Sequence, residues 1–170
     1  MLGKILAEEH IRLVYGGGSV GLMGVIADAV MAAGGEVVGI IPAALDRREV
    51  AHRAVTELRV VRSMHERKAM MNELSDGFIA LPGGYGTLEE LCEMLTWSQL
   101  GIHAKPVGLL DVAGYYRPFL KLLDHAVGER FLHPDHRALL LSDTDPQALL
   151  LRMRTFVPPA TAKWLDPGEE

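Results

Sequence analysis

Short apolar runs rich in β-branched residues alternate along this chain with longer segments of helical period, and that alternation leaves few folds open to it. Parallel strands need long crossover connections, usually helices, and strands covered on both faces read as continuous hydrophobic runs. The runs predict strands near Arg12 to Tyr15, Val37 to Ile41, Leu58 to Val61, Gly77 to Leu81, Pro106 to Leu110 and Ala138 to Leu141. Helical segments fall at about Gly21 to Ala33, Ser63 to Leu74, Thr87 to Leu100, Tyr115 to Val127 and Pro146 to Phe156. Asp145 stands before Pro146, the pattern of an N-cap followed by proline at the first helical position. The fold class this predicts is α/β: a Rossmann-like, doubly wound parallel sheet. Such a domain normally opens with a strand, whereas Leu2 to His10 (LGKILAEEH) reads as an amphipathic helix, so the first strand of the pattern is missing.

Length and charge narrow the organisation and the partners. A chain of 170 residues fits one core, and the expected domain runs over 1–157, with 158–170 as a C-terminal tail in which Trp164 and Leu165 tack onto a surface. The net charge is −5 and no basic run is long enough to follow a nucleic-acid backbone, so no nucleic-acid partner is expected. No apolar stretch approaches the roughly 18 residues of a membrane span, and the start lacks a signal-peptide pattern. A cytoplasmic protein without a membrane partner is expected. Cys92 is the one cysteine and sits in the apolar helical pattern LEELCEML, which favours inert packing. The HPDH stretch, His133 to His136, reads as a surface turn, and no metal site is expected there or at His103.

In doubly wound sheets ligands sit beyond the carboxyl ends of the strands. Two glycine-rich loops occupy such places. After the strand RLVY comes GGGSVGLMG, Gly16 to Gly24, where Gly16, Gly17 and Gly18 let backbone N–H groups approach a ligand and the next helix offers its positive end. Gly16, Gly18 and Gly21 satisfy the spacing GxGxxG, but the acid that would bind a dinucleotide ribose is absent; the nearest, Asp46, falls in a loop. After GFIAL comes PGGYGTLEE, Pro82 to Glu90, in which Gly83, Gly84 and Gly86 precede Thr87, a residue suited to cap the helix and to donate a hydroxyl to an anion.

Thr87 with Glu90, and Ser63 with Glu66, form T-x-x-E and S-x-x-E capping boxes that would start their helices. Glu90 is electrostatically out of place beside a phosphate loop unless a cation or a reacting sugar compensates it. Arg67 and Lys68 can supply positive charge, and they lie in the first turns of SMHERKAMM, where cations oppose the helix dipole.

SMHERKA, followed 23 positions from Arg67 to Glu90 by PGGYGTLEE, together with VYGGGSVGLMG, resembles the LONELY GUY (LOG) cytokinin-activating phosphoribohydrolases, a family often labelled lysine decarboxylase. The resemblance covers roughly Leu2 to Leu150. It implies a homodimer of Rossmann-like subunits that cleaves cytokinin riboside 5′-monophosphate, and often AMP, to free base and ribose 5-phosphate with no cofactor and no metal. Carried over to this chain, it makes Arg67 and Glu90 the catalytic pair, has Gly83, Gly84, Gly86 and Thr87 hold the phosphate, and sets Met64 and Lys68 beside the purine nucleoside monophosphate. Family members usually begin with a strand and a Gly-Ser loop that this sequence lacks.

The chemistry of the residues agrees. Breaking a ribosidic C–N bond builds an oxocarbenium-like sugar, which the Glu90 carboxylate stabilises while orienting or deprotonating water. Arg67 neutralises charge growing on the departing base or positions the substrate, but is a poor proton donor. Glu89 and Glu93 are candidates for support, Glu93 sharing the helix face of Glu90. Met94 and Trp97 continue an apolar face fitted to core or dimer packing rather than base stacking. The alternatives are a non-catalytic nucleotide or molybdenum cofactor carrier and a broader nucleoside 5′-monophosphate nucleosidase. A decarboxylase would need a Schiff-base lysine with an acidic partner for the pyridoxal nitrogen, and no residues mark that pair.

Overall fold

The computed structural model describes residues 1–46 and 51–159, so the expectation for Trp164 and Leu165 lies outside the described residues. The chain groups into two compact units, Met1–Ser75 and a second from Asp76 onward.

The first unit runs α1 (Leu2–Glu8), β1 (Leu13–Tyr15), α2 (Leu22–Ala32), β2 (Val37–Pro42), α3 (Ala43–Asp46), β3 (Glu57–Val61) and α4 (Met64–Leu74). Its strands are parallel in the order β1-β2-β3, with Leu13 opposite Val37 and Val38 opposite Glu57. All of β2 is buried, as a central parallel strand requires. Helix α1 buries Leu2, Ile5, Leu6 and Ala7 and leaves Lys4 and Glu8 exposed as an i,i+4 pair. It crosses α2 at Gly3, where a Cβ would lie 2.7 Å from that of Ala29. Met70, Met71 and Leu74 of α4 close the core over Val38, Ile40 and Val61.

The second unit runs β4 (Phe78–Ala80), α5 (Tyr85–Leu100), β5 (Val107–Leu110), a 3-10 turn (Val112–Gly114), α6 (Arg117–Gly128), α7 (Pro134–Arg137), β6 (Leu140–Asp143) and α8 (Pro146–Arg154). The strands are again parallel, in the order β4-β5-β6, and β5 is buried throughout. Met94 belongs to the core with Leu91, Val107, Leu109, Tyr116 and Leu140, and Trp97 packs against it, in agreement with a packing role for that face. Asp145 caps α8 as predicted, its carboxylate accepting from the Ala148 N–H at 2.8 Å. Gly101 stops α5 in the left-handed conformation, φ 81°. Among the described residues no helix is long and apolar enough to cross a membrane.

Several predicted boundaries move. HPDH is a helical turn, α7, whose N-cap His133 accepts from the Asp135 N–H, and this pushes β6 to Leu140–Asp143. Helix α6 begins at Arg117 rather than Tyr115 because a 3-10 turn occupies Val112–Gly114. Cys92 lies on the exposed side of α5, not in the core. Partial desolvation of its sulfur and, second, the charge of Glu89 push the thiol pKa up, away from a nucleophilic thiolate.

His103 is buried beside Phe78, ring centroids 5.5 Å apart, with its Nδ1 accepting from the Lys105 N–H at 3.2 Å. Burial first, and the Lys105 charge with it, hold its pKa below the usual 6.5 against an opposing backbone hydrogen bond. As pH falls through about 6.5 the unfolded chain takes up a proton that the folded chain refuses. Stability is therefore lost on acidification and levels off once the folded imidazole also titrates. His103→Asn, which keeps an acceptor for Lys105, should lose less thermal stability than the native chain between about pH 7.5 and about pH 5.5. Equal losses in the two proteins would show that His103 does not contribute.

Candidate functional site

The first glycine turn leaves the carboxyl end of β1, and much of its glycine is needed by the fold itself. Gly17 and Gly21 take positive φ, 72° and 65°. A Cβ on Gly24 would meet the Ser19 carbonyl oxygen at 2.1 Å, so the turn folds back onto the start of α2. The Gly17 carbonyl accepts from the His52 N–H at 2.8 Å, and Gly18 bridges to Ala51. Asp46 is not in a loop: it ends α3 and accepts from Arg53 at 2.7 Å.

Gly16 serves a different end. Arg67 is the one buried residue of α4, only 8% exposed, and its Nε donates to the Ile40 carbonyl at 3.2 Å. A charged head is buried only where hydrogen bonds compensate the loss of water. Its Nη2 occupies the space in front of Gly16, 1.8 Å from where a Cβ would stand, so glycine there admits the guanidinium. Met64 opens α4, 43% exposed, and Lys68 follows Arg67, half-buried. Ser63 caps α4 by accepting from the Glu66 N–H at 3.1 Å. Glu66 does not return the bond to Ser63; its carboxylate accepts from the Arg62 N–H at 2.8 Å, which, with the Arg62 guanidinium, lowers its pKa. The first unit thus brings Gly16, Gly17, Gly18 and Arg67 to one turn.

The second turn leaves the carboxyl end of β4. Here Thr87 is not the cap. The extended backbone of Gly84 (φ −90°, ψ −152°) lets α5 start at Tyr85, with no side chain capping the helix. Thr87 is the third helical residue, and its side chain lies over Gly83, where a Cβ would be 2.2 Å from Oγ1. Glu90 is half-buried one turn further on, Glu89 is exposed, and Glu93 is half-buried with Oε2 out of solvent. Gly83, Gly84, Gly86, Thr87 and Glu90 are thereby gathered at the start of one helix. Sequence reasoning missed two further residues: Tyr115 Oη donates to the Gly83 carbonyl at 2.7 Å, and Tyr116 Oη donates to the Leu81 carbonyl. Tyr116 is buried, which pushes its hydroxyl pKa up to about 12. Their only signal in the sequence is the GYY that follows the fifth strand.

Parallel strands flanked by helices, with an uncapped helix start after each glycine turn, define a Rossmann-like α/β protein. Residues 23–153 match the family model described as "Possible lysine decarboxylase". The chain is 55% identical over 157 residues to the cytokinin riboside 5′-monophosphate phosphoribohydrolase LOG of Oryza sativa subsp. japonica, covering 92% of this chain and 65% of that protein. It is 52% identical over 157 residues to LOG1 of Arabidopsis thaliana, a protein of the same name, covering 92% of this chain and 74% of that one. The chain belongs to the LOG family. Among solved structures it is similar in fold to the molybdenum cofactor binding protein of Rippkaea orientalis, at TM-score 0.67 and 24% identity over 91% of this chain and 82% of that one. The molybdenum cofactor carrier protein of Chlamydomonas reinhardtii gives TM-score 0.64 at the same identity and coverage.

The two kinds of glycine separate by substitution. Gly24→Ala forces a Cβ onto backbone and should cost about 1–3 kcal/mol in denaturant unfolding. Gly16→Ala meets only the end of a side chain and should cost less than about 1 kcal/mol, while displacing the guanidinium and raising the reactivity of Arg67 toward a dicarbonyl reagent, followed by peptide mapping. Unchanged Arg67 reactivity would show that Gly16 does not make its room.

Proposed function

We propose that this chain hydrolyses the N-glycosidic bond of a cytokinin riboside 5′-monophosphate or of AMP, releasing free base and ribose 5-phosphate. The observation that carries the reading is glycine where the fold asks for none. A Cβ at Gly84 or Gly86 would stand in open space, and neither residue has positive φ. Gly84 is the N-cap, where glycine is well suited, but Gly86 lies inside the helix, where glycine costs roughly 0.5–1 kcal/mol relative to alanine. The bare start of α5 therefore leaves room for something outside the chain, and its uncapped N–H groups and positive dipole end select an anion. A 5′-phosphate meets that description, with Thr87 in the same helical turn as a hydroxyl donor. Gly16, Gly17, Gly18, Met64 and Lys68 are the further contacts assigned to the nucleotide. The names of the relatives in rice and Arabidopsis supply the reaction.

In this reading Glu90 stabilises the oxocarbenium-like sugar and orients the attacking water, while Arg67 offsets charge on the departing base or holds the substrate. The bond that breaks is C1′–N and the new bond is C1′–O from water; one water proton passes to the departing base and the other stays on the new C1′ hydroxyl. The same reading takes the working form to be a homodimer in the cytoplasm. The molybdenum cofactor proteins lend their fold alone, at 24% identity.

Release of adenine from AMP, followed by chromatography, tests the reaction; no base released from any of a panel of nucleoside monophosphates would sink it. Glu90→Gln should lower kcat by about 10² or more. The helix start is untouched because α5 begins five residues earlier, at Tyr85. A rate equal to native would remove Glu90 from the chemistry. Gly86→Ala should move stability and function in opposite directions. Unfolding free energy should rise by roughly 0.5–1 kcal/mol as AMP affinity falls about tenfold. Unchanged affinity would mean that the bare helix start is not the phosphate seat.

A further inference from the structure

The turn between β4 and α5 is held from behind by two phenolic hydroxyls that reach it across 32 and 35 positions of sequence, Tyr115 to the Gly83 carbonyl and Tyr116 to that of Leu81. The segment carrying them is tied down by further contacts. Its Asp111 is buried and accepts from the Tyr116 N–H at 2.7 Å, while the Asp111 N–H donates to the Asp143 carbonyl at 2.8 Å. The two rings meet edge to face with centroids 5.1 Å apart, and Tyr116 meets Phe119 the same way. Between Asp111 and the tyrosines, Ala113 takes φ 54°, a left-handed conformation that a residue with a Cβ keeps only where its surroundings impose it.

The two hydroxyls have different consequences. A trans peptide unit is planar, so its C=O and N–H point in opposite directions. Leu81 precedes proline, and the Tyr116 bond therefore fixes the turn without aiming a donor. Gly83 precedes Gly84, and the Tyr115 bond turns the Gly84 N–H away from the tyrosine. A carbonyl that accepts a hydrogen bond also makes the N–H of the same peptide unit a better donor. Two successive glycines have no side chains with which to fix that plane for themselves.

We propose that Tyr115 is a positioning residue for the 5′-phosphate: through the Gly83 carbonyl its hydroxyl aims and polarises the Gly84 N–H toward the anion, on a platform fixed by Tyr116. The proposal rests on the reading of this turn as the phosphate seat. It adds to that seat a residue that does not touch the ligand.

Tyr115→Phe in the full chain removes the hydroxyl alone, at a half-exposed ring, and should leave the thermal midpoint essentially unchanged. Affinity for inorganic phosphate and for AMP, measured by calorimetric titration, should fall about five- to tenfold. In turnover KM for AMP should rise by the same factor with kcat changed less than about twofold, and the rate measured on adenosine, which has no phosphate, should be unaffected. A general loss of structure would impair both substrates alike. Phosphate and AMP affinities within about twofold of native would overturn the proposal, as would an equal defect on AMP and adenosine, or a native chain that binds neither anion. A native chain that binds AMP but releases no base would overturn the proposed reaction instead, and the titrations would still decide the role of Tyr115.

Discussion

Every residue of β2 and of β5 is buried, and the two glycine turns leave the strands that pair with them, β1 and β4. A parallel strand covered on both faces must use its backbone groups within the protein, and where pairing ends each N–H and C=O needs another partner. The carbonyls around the turns find theirs inside the fold. Ile40 accepts from Arg67, Gly17 from His52, Leu81 from Tyr116 and Gly83 from Tyr115. The helix starts that follow, at Leu22 and Tyr85, have no side-chain caps. With these acceptors engaged and no side chain capping the helix starts, each turn lies at the positive end of a helix dipole.

That arrangement matters for a chain whose net charge is −5. Long-range attraction does not favour an anion on such a chain, so the proposed phosphate seat draws on short-range dipoles and few cations. Arg67 sits near the positive end of α4, where its charge opposes the dipole, and the bond to Ile40 with the space at Gly16 holds it there. Glu66 in the first turn of the same helix has the favourable sign, and the Arg62 N–H keeps it ionised. The helix is thus stabilised at its start by an acid and loaded one residue later with a base.

Strands and helices were legible because burial imposes period, and period survives in a single sequence. The predicted strands and major helices recur, most within a residue or two of their ends, with β6 and α6 displaced by the turns before them. The capping boxes were legible only in part. Ser63 does cap α4, but the Thr87 pattern misplaced the start of α5, because Gly-Tyr-Gly has no propensity to begin a helix and the turn is set by contacts from elsewhere. Arg67 was marked by its charge in a first turn and given its role by the resemblance, while its burial was hidden: a cation there ordinarily reads as surface. Tyr115 and Tyr116 were invisible for a plainer reason. Their partners are backbone carbonyls, which every residue has, so no complementary side chain marks the pairing in the sequence.

A glycine-rich motif in a sequence mixes residues that the fold requires with residues that it merely tolerates, and the two carry different information. Gly17 and Gly21 are required by positive φ, Gly24 by the Ser19 carbonyl and Gly83 by the Thr87 side chain. These would be glycine in a protein that bound nothing. Gly84 and Gly86 meet no atom that would exclude a Cβ. Gly84 is the N-cap, where glycine is well suited, whereas Gly86 lies inside the helix and weakens it without serving any contact of the fold, which agrees with the proposed phosphate seat. Counting glycines in the first loop therefore overstates the case for a ligand, and the shorter second loop, with fewer glycines but one inside its helix that the fold does not need, makes it better.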